Sequence, residues 1–437
     1  MTQHAVPPNG EPALVSSRNF ILRLVLPGLL QGKAQTFVQP MLPIFVAVDL
    51  GGSHGMVGLI ASCYPIAQFL GSTPVGFVMK HLENSLAACL ALAWMVTTAL
   101  LSFAAQTVYV LMCIRLLGGL GATSFDISQK AWSFLQVFCL PRGRDVGKTF
   151  APVHFLVRPR IAALLSGVVA QHLATRSIFL VQASLSFCAL LLIALHSLYL
   201  RRKSADVELQ DSGAAAPQDV SLRAIVRDHW RGLLGAGLYC AMLNGFRNTW
   251  MVSLPLRGHH IGLSKMGIGA SVAWYRGCDA AVTTAVAGYI MDNYGLKASA
   301  VPSMLLMSAA FSLLAIVQGP ISLALVALVF GVGNGMCGGV INAFAASLTP
   351  PHARTQFLGL WKTVTSLGGI CVPPIFGLVS DSSTLDMAGF CISGAALCTA
   401  LWTVLMVQQV VPSRRAGPSP AQGDQVSVSL ANNPSPA

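Results

Sequence analysis

The sequence predicts an all-α polytopic membrane protein, with twelve transmembrane helices in two pseudo-symmetric six-helix bundles. Three observations carry that prediction. The first is composition: of 437 residues, 54% are apolar and only 10% charged, too few charges to cover a soluble domain of this length. The second is distribution. The apolar residues gather into runs long enough to cross about 30 Å of hydrocarbon, which takes about 20 helical residues. Open sheet edges are not tolerated in lipid and barrels read as short alternating segments, so continuous runs mean helices. The third is an internal repeat between the two halves of the chain.

The runs fall, in order, at 20–48, 55–79, 86–105, 108–138, 149–172, 177–200, 232–255, 266–290, 299–317, 321–348, 357–380 and 387–410. The first has Lys33 at mid-depth and ends near Leu42-Pro43-Ile44; the second opens at Gly58 and closes at Gly76. The fourth exceeds one crossing and is expected to protrude or tilt. The fifth contains Arg158-Pro159-Arg160, where the proline frees a carbonyl and favours a bend. After the sixth comes the longest polar interruption, 201–231, basic at both ends and acidic, Ala- and Pro-rich between. It buries no core and reads as a solvated linker. Residues 1–19 are expected to form a polar tail, and residues 411–437 a disordered one rich in Pro, Ser and Gly.

Lys and Arg set the orientation. One set of loops carries Arg18, Lys80, Arg142, Arg144, Lys148, the linker cluster, Lys297, Arg354, Arg414 and Arg415; the opposite set carries Arg176, Arg257 and Lys265. The asymmetry accounts for the net charge of +12 without nucleic acid, and places both termini and the linker in the cytoplasm. A plasma or inner membrane is expected rather than an organelle, and a monomer. No basic stretch followed by a short apolar region opens the chain, so no cleaved signal peptide is expected. The eleven cysteines lie mostly inside the runs with no metal spacing, and read as reduced core residues. His259-His260 stands in a polar loop without ligand partners, and no P-loop occurs. Neither an enzyme, a metal site nor a cofactor is expected.

An offset of about 212 residues superposes several features in order. Leu42-Pro43-Ile44 falls on Leu254-Pro255-Leu256, Gly58 on Gly269 with one gap, and Gly76 on Gly288. Gly119-Leu120-Gly121 is matched with Gly333-Asn334-Gly335, and Pro159 with Pro373. Small residues let membrane helices approach closely, so these positions are read as packing and hinge points of two parallel halves that rock about a site between them.

These features resemble the major facilitator superfamily from about Phe20 to Val410. Its loop signature after the second helix of a half, Gly-x-x-x-Asp-x-x-Gly-x-Lys, stands as Gly288, Asp292, Gly295 and Lys297. In the first half Gly76 is kept, but Lys80 and Glu83 replace the Asp and the Gly. The resemblance implies a charge relay at this loop that latches the halves in one state. Arg115 followed by Gly118, Gly119 and Gly121 resembles the family's fourth-helix motif, and Pro141-Arg-Gly-Arg144 its following basic loop. The antiporter motif of the fifth helix keeps only Pro159. The region from Gly331 to Trp361 is similar to drug-export-like members. What this implies is a secondary transporter of a small solute working by alternating access, with protons as the candidate coupling ion.

Charge inside a membrane costs a few kcal/mol and marks function or pairing. The candidates for substrate binding or coupling are Lys33, Arg115, Asp126, Arg158, Arg160, Arg247, Arg276 and Asp279. Eleven residues separate Arg115 from Asp126, so the two share a helix face about 16 Å apart. Lys130 stands one turn beyond Asp126, and Arg276 and Asp279 are spaced for local pairing. Cations outnumber acids, which favours anionic or amphiphilic solutes. Two alternatives stay open: a multidrug/proton antiporter, and a transporter-like sensor that no longer transports.

Overall fold

A computed structural model describes residues 26–79, 82–139, 160–203, 226–227, 230–349 and 354–407. The two expected tails, Lys80, Pro141 to Arg144, Arg158, Pro159 and most of the linker lie outside the described residues.

Twelve helical spans follow one another. Helix α1 is Leu26–Val38, continued after a break by Leu42–Ile44 and a π-helical turn Phe45–Asp49. Then come α2 (His54–Met79), α3 (Asn84–Ala104), α4 (Val108–Cys139), α5 (described from Arg160–His172) and α6 (Ser177–Lys203). In the second half α7 is a π-helical turn Leu233–Gly237 leading into Leu238–His260. Helix α8 runs Lys265–Val282, Thr283–Ala287 (π-helical) and Gly288–Tyr294. Helix α9 is Leu296–Ala315, α10 is Pro320–Met336 with Val340–Leu348, α11 is Arg354–Ser382 and α12 is Leu385–Met406. No strand occurs among the described residues.

Local chemistry explains the interruptions. Pro40 has no N–H to give, so α1 breaks there and the ladder resumes through Met41 N–H to Val38 O and Phe45 N–H to Met41 O. Gly295, at φ 88°, sits in the left-handed region that favours glycine, and turns the chain from α8 into α9. Helix α4, at 32 residues, is about 48 Å long and exceeds one crossing, as expected. Eight spans are by themselves long and apolar enough to cross a membrane; α1, α5, α7 and α8 are not among them. Helix α7 carries Asn244, Arg247, Asn248 and Arg257, and α8 carries Lys265, Arg276 and Asp279.

The packing repeats between halves. Helix α3 packs on α4 and α6, α2 on α4, and α1 on α5 and α6; correspondingly α9 packs on α10 and α12, α8 on α10, and α7 on α11 and α12. The halves meet through α2 against α11 and, equivalently, α8 against α5. The glycines fix the register of the repeat. A Cβ on Gly119 would lie 2.9 Å from Tyr64 O of α2, and one on Gly331 2.7 Å from Tyr275 O of α8. Likewise Gly121 abuts Trp94 and Ala91 of α3, and Gly333 abuts Leu306 and Ser303 of α9. Gly119 and Gly121 therefore correspond to Gly331 and Gly333, one glycine earlier than the sequence match with Gly333 and Gly335. Three glycines at spacing two make the slip easy; only the helix each one touches distinguishes them.

Arg257 corrects another expectation. The loop pattern assigns it to an outer loop, but it lies in the last turn of α7 with only 6% of its surface exposed. Its Nη2 donates to Ala315 O (2.7 Å) and Val317 O (2.6 Å), and Nη1 to Asp386 (2.5 Å). It thereby supplies donors to the carbonyls at the end of α9, which lack helical partners, and ties them to the start of α12.

Candidate functional site

The chain enters and leaves the linker at the face where α6 ends and α7 begins, called here the linker face; the other is the far face. At the far face the halves are in backbone contact. A Cβ on Gly377 of α11 would overlap His54 O of α2, and one on Gly167 of α5 would lie 2.6 Å from Lys265 O of α8. One step deeper, a Cβ on Gly58 would overlap Pro373 O, and one on Gly269 would lie 2.7 Å from Ala163 O. Gly58, Gly269 and Pro373, packing points of the repeat, thus sit in the two seams.

Each seam is also closed by a side chain of one half capping a helix of the other. Asp381 of α11 accepts from Gly55 N–H at the start of α2 (2.8 Å), beside a His54–Ser380 hydrogen bond of 2.7 Å. Gln171 of α5 accepts from Met266 N–H at the start of α8 (3.0 Å), beside Lys265 Nζ donating to Thr175 Oγ1 (2.7 Å). Free N–H groups at a helix start attract such acceptors. The backbone contacts and the caps that join the halves across the two seams lie toward the far face.

Between them lies a cavity of about 460 Å³. Its walls carry Gln31, Gln35 and Gln39 of α1, Tyr64 and Gln68 of α2, and Asn244 and Asn248 of α7. Charged groups on the wall are Arg115, Asp126 and, near the linker face, Lys362. Arg115 is 9% exposed, its guanidinium lies 5.2 Å from the Tyr64 ring centroid, and its Nε has no hydrogen-bond partner among the described residues. A cation over an aromatic face is held electrostatically, but Tyr64 supplies no counter-charge.

The predicted charges separate into groups. Arg115 and Asp126 line the cavity together, as their spacing on α4 implied. Arg247 does not line it: Nε donates to Asn334 Oδ1 (2.6 Å) and Nη2 to Cys337 Sγ (3.2 Å), inside the second half. Arg276 does not pair with Asp279. It reaches across to Gln39 Oε1 of the other half (3.1 Å) and lies 5.2 Å from the Tyr275 ring centroid, while Asp279 accepts from Thr283 Oγ1 (3.3 Å). Lys33 is half-buried on α1 and is not a lining residue. Arg160 opens the described part of α5; Arg158 and Pro159 lie outside it. In the loop signature, Asp292 is exposed without an ion-pair partner among the described residues, and Lys297 Nζ donates to Val404 O (2.5 Å). Among the described residues neither of the two takes part in an ion pair. No group of three metal-ligating side chains occurs among the described residues.

Attention to charge alone misses the amides. Gln31, Gln35 and Gln39 recur at every fourth residue, as do Asn244 and Asn248, which puts each set on one helix face. A polar stripe inside an apolar run is the signal that could have found them.

The profile of the Major Facilitator Superfamily matches residues 28–275 and 240–434. The hexuronate transporter of Bacillus subtilis (strain 168) is 29% identical over 100 residues, a match spanning 23% of this chain and 24% of that relative. Among solved structures, a mutant of the nucleoside transporter NupG superposes with a TM-score of 0.74 at 14% identity, over 89% of this chain and all of that one. A POT family transporter in complex with a thioalcohol-conjugated peptide gives 0.71 at 11% identity, over 89% of this chain and 95% of that one. The human organic anion transporter MFSD10 gives 0.59 at 18% identity, over 89% and 100%. With its twelve spans, its paired seams and a profile that matches nearly end to end, this multi-pass membrane chain belongs to the Major Facilitator Superfamily, and is a transport protein rather than an enzyme.

Proposed function

We propose that this secondary transporter carries a small anionic solute by alternating access. Its termini and linker face the cytoplasm, as the Lys and Arg distribution requires, so the described conformation is open inward. The observation that carries the reading is Arg115: a guanidinium on the cavity wall, nine-tenths buried, without an ion-pair partner among the described residues. A cation held out of water without a carboxylate is costly and is matched by an anion that arrives with the solute. The Bacillus relative, a hexuronate transporter by name, carries an acid. Asp126, the acid on the same wall, is assigned the coupling proton.

Flux into proteoliposomes tests this, using a panel of radiolabelled anions and cations with and without an imposed pH gradient. Arg115→Gln lowers anion uptake by at least about tenfold, the effect of losing one charge-assisted hydrogen bond. Asp126→Asn removes the response to the gradient. Uptake of cations alone, or Arg115→Gln transporting anions like the parent, contradicts the reading.

A further inference from the structure

Resting on the anionic reading above, we infer that the solute is a polyhydroxylated acid. Arg115 takes its acid group, and the amides of Gln35, Gln39, Gln68, Asn244 and Asn248 read its hydroxyls.

Most of these amides keep a donor or an acceptor unused. Gln31 has no free end: its Nε2 donates to Met95 Sδ (3.2 Å), its Oε1 accepts from Ser186 (2.9 Å), and it is 4% exposed. It is part of the wall. The others are different. Gln35 donates through Nε2 to the Tyr64 hydroxyl, which leaves its carbonyl. Asn244 donates through Nδ2 to Thr365 O (2.9 Å), which also leaves a carbonyl. Gln39 is held by its carbonyl through Arg276, which leaves its NH2. Gln68 and Asn248 line the cavity, and their amides make no hydrogen bond among the described residues. None of these free ends is among the sealed, unpaired polar atoms, so they are open to the cavity.

The wall therefore offers acceptors and donors side by side, from α1, α2 and α7, in a space large enough for one small solute. A hydroxyl both donates and accepts, and neutral amides match it without imposing a charge. Apolar solutes would leave these groups unpaired, at the cost of a buried unmade hydrogen bond for each. Three of the five amides are fixed at one end by protein partners, so their orientation is set before the solute arrives. Pre-set donors and acceptors are what make a site reject analogues that lack the hydroxyls. Ligand pockets are usually apolar with few polar groups; the amides added to this wall are the feature that needs a ligand to explain it.

Three six-membered-ring probes separate the two halves of the proposal: D-glucuronate (hydroxyls and acid), D-glucose (hydroxyls only) and cyclohexanecarboxylate (acid only). Each is titrated against the purified full-length protein, and the shift in thermal unfolding gives its Kd. The expected result is that D-glucuronate binds at least about tenfold tighter than either other probe, as one or two lost hydrogen bonds imply. Gln68→Leu, which removes no side-chain amide hydrogen bond among the described residues, weakens D-glucuronate about threefold to tenfold and leaves cyclohexanecarboxylate unchanged. If cyclohexanecarboxylate binds as well as D-glucuronate, the hydroxyl assignment is overturned and the anionic reading stands. If D-glucose binds as well, the anionic reading falls instead. Binding of none of the three overturns both.

Discussion

Arg257 and Arg115 are both buried, and their partners divide them by role. Arg257 directs its donors to Ala315 O, Val317 O and Asp386, whereas Arg115 lines the cavity without an ion-pair partner among the described residues. Replacing Arg257 by Ala leaves buried carbonyls unpaired and is expected to destabilise the protein by roughly 2–4 kcal/mol. Asp386 is 51% exposed on its side chain, so Asp386→Ala costs less than about 1 kcal/mol. Thermal unfolding in detergent compares the two; equal losses would show that the ion pair, not the carbonyl contacts, carries the stability. At this scale the sequence was partly legible. The face shared by Arg115 and Asp126 followed from helix geometry alone. That Arg247 turns to Asn334 and Arg276 to Gln39 did not, because those partners lie 87 and 237 residues away, beyond any local spacing rule.

At the scale of elements, the two seams act as a matched pair. Each buries a glycine against the other half's backbone and closes with a side chain on a helix start. Losing a helix cap costs about 1 kcal/mol, so Asp381→Ala and Gln171→Ala should each shift the equilibrium away from the closed far face by about fivefold, and the double variant by the product. Labelling of a cysteine placed at Ser62, fully buried between α2 and α11, reports this as faster modification from the far side. Gly377→Leu goes further, because its side chain would overlap His54 O; the far face then stays open and labelling is maximal. No change in labelling for any of the three would show that the seams do not hold this face. The glycines were legible as packing points, since close helix approach requires small residues. Which helix each one meets was not, and the register of the repeat slips by one glycine for that reason.

Over the whole molecule, twelve spans and the duplication could be read from apolar runs and spacing, because lipid leaves the backbone few options. The conformation could not: the same residues pack the far-face seams in one state and must release them in another. In the alternating access proposed for this transporter, the halves exchange closure at one face for closure at the other around the cavity. Paired spin labels at Leu173 and Ile316 on the far face, and at Leu82 and Tyr294 on the linker face, test it directly. The background would carry serine at the exposed cysteines Cys113, Cys188, Cys371, Cys391 and Cys398. The account predicts two populations whose weights move in opposition when solute is added, the far-face distance lengthening as the linker-face distance shortens. A single unchanged distance at both faces during measured flux would contradict it.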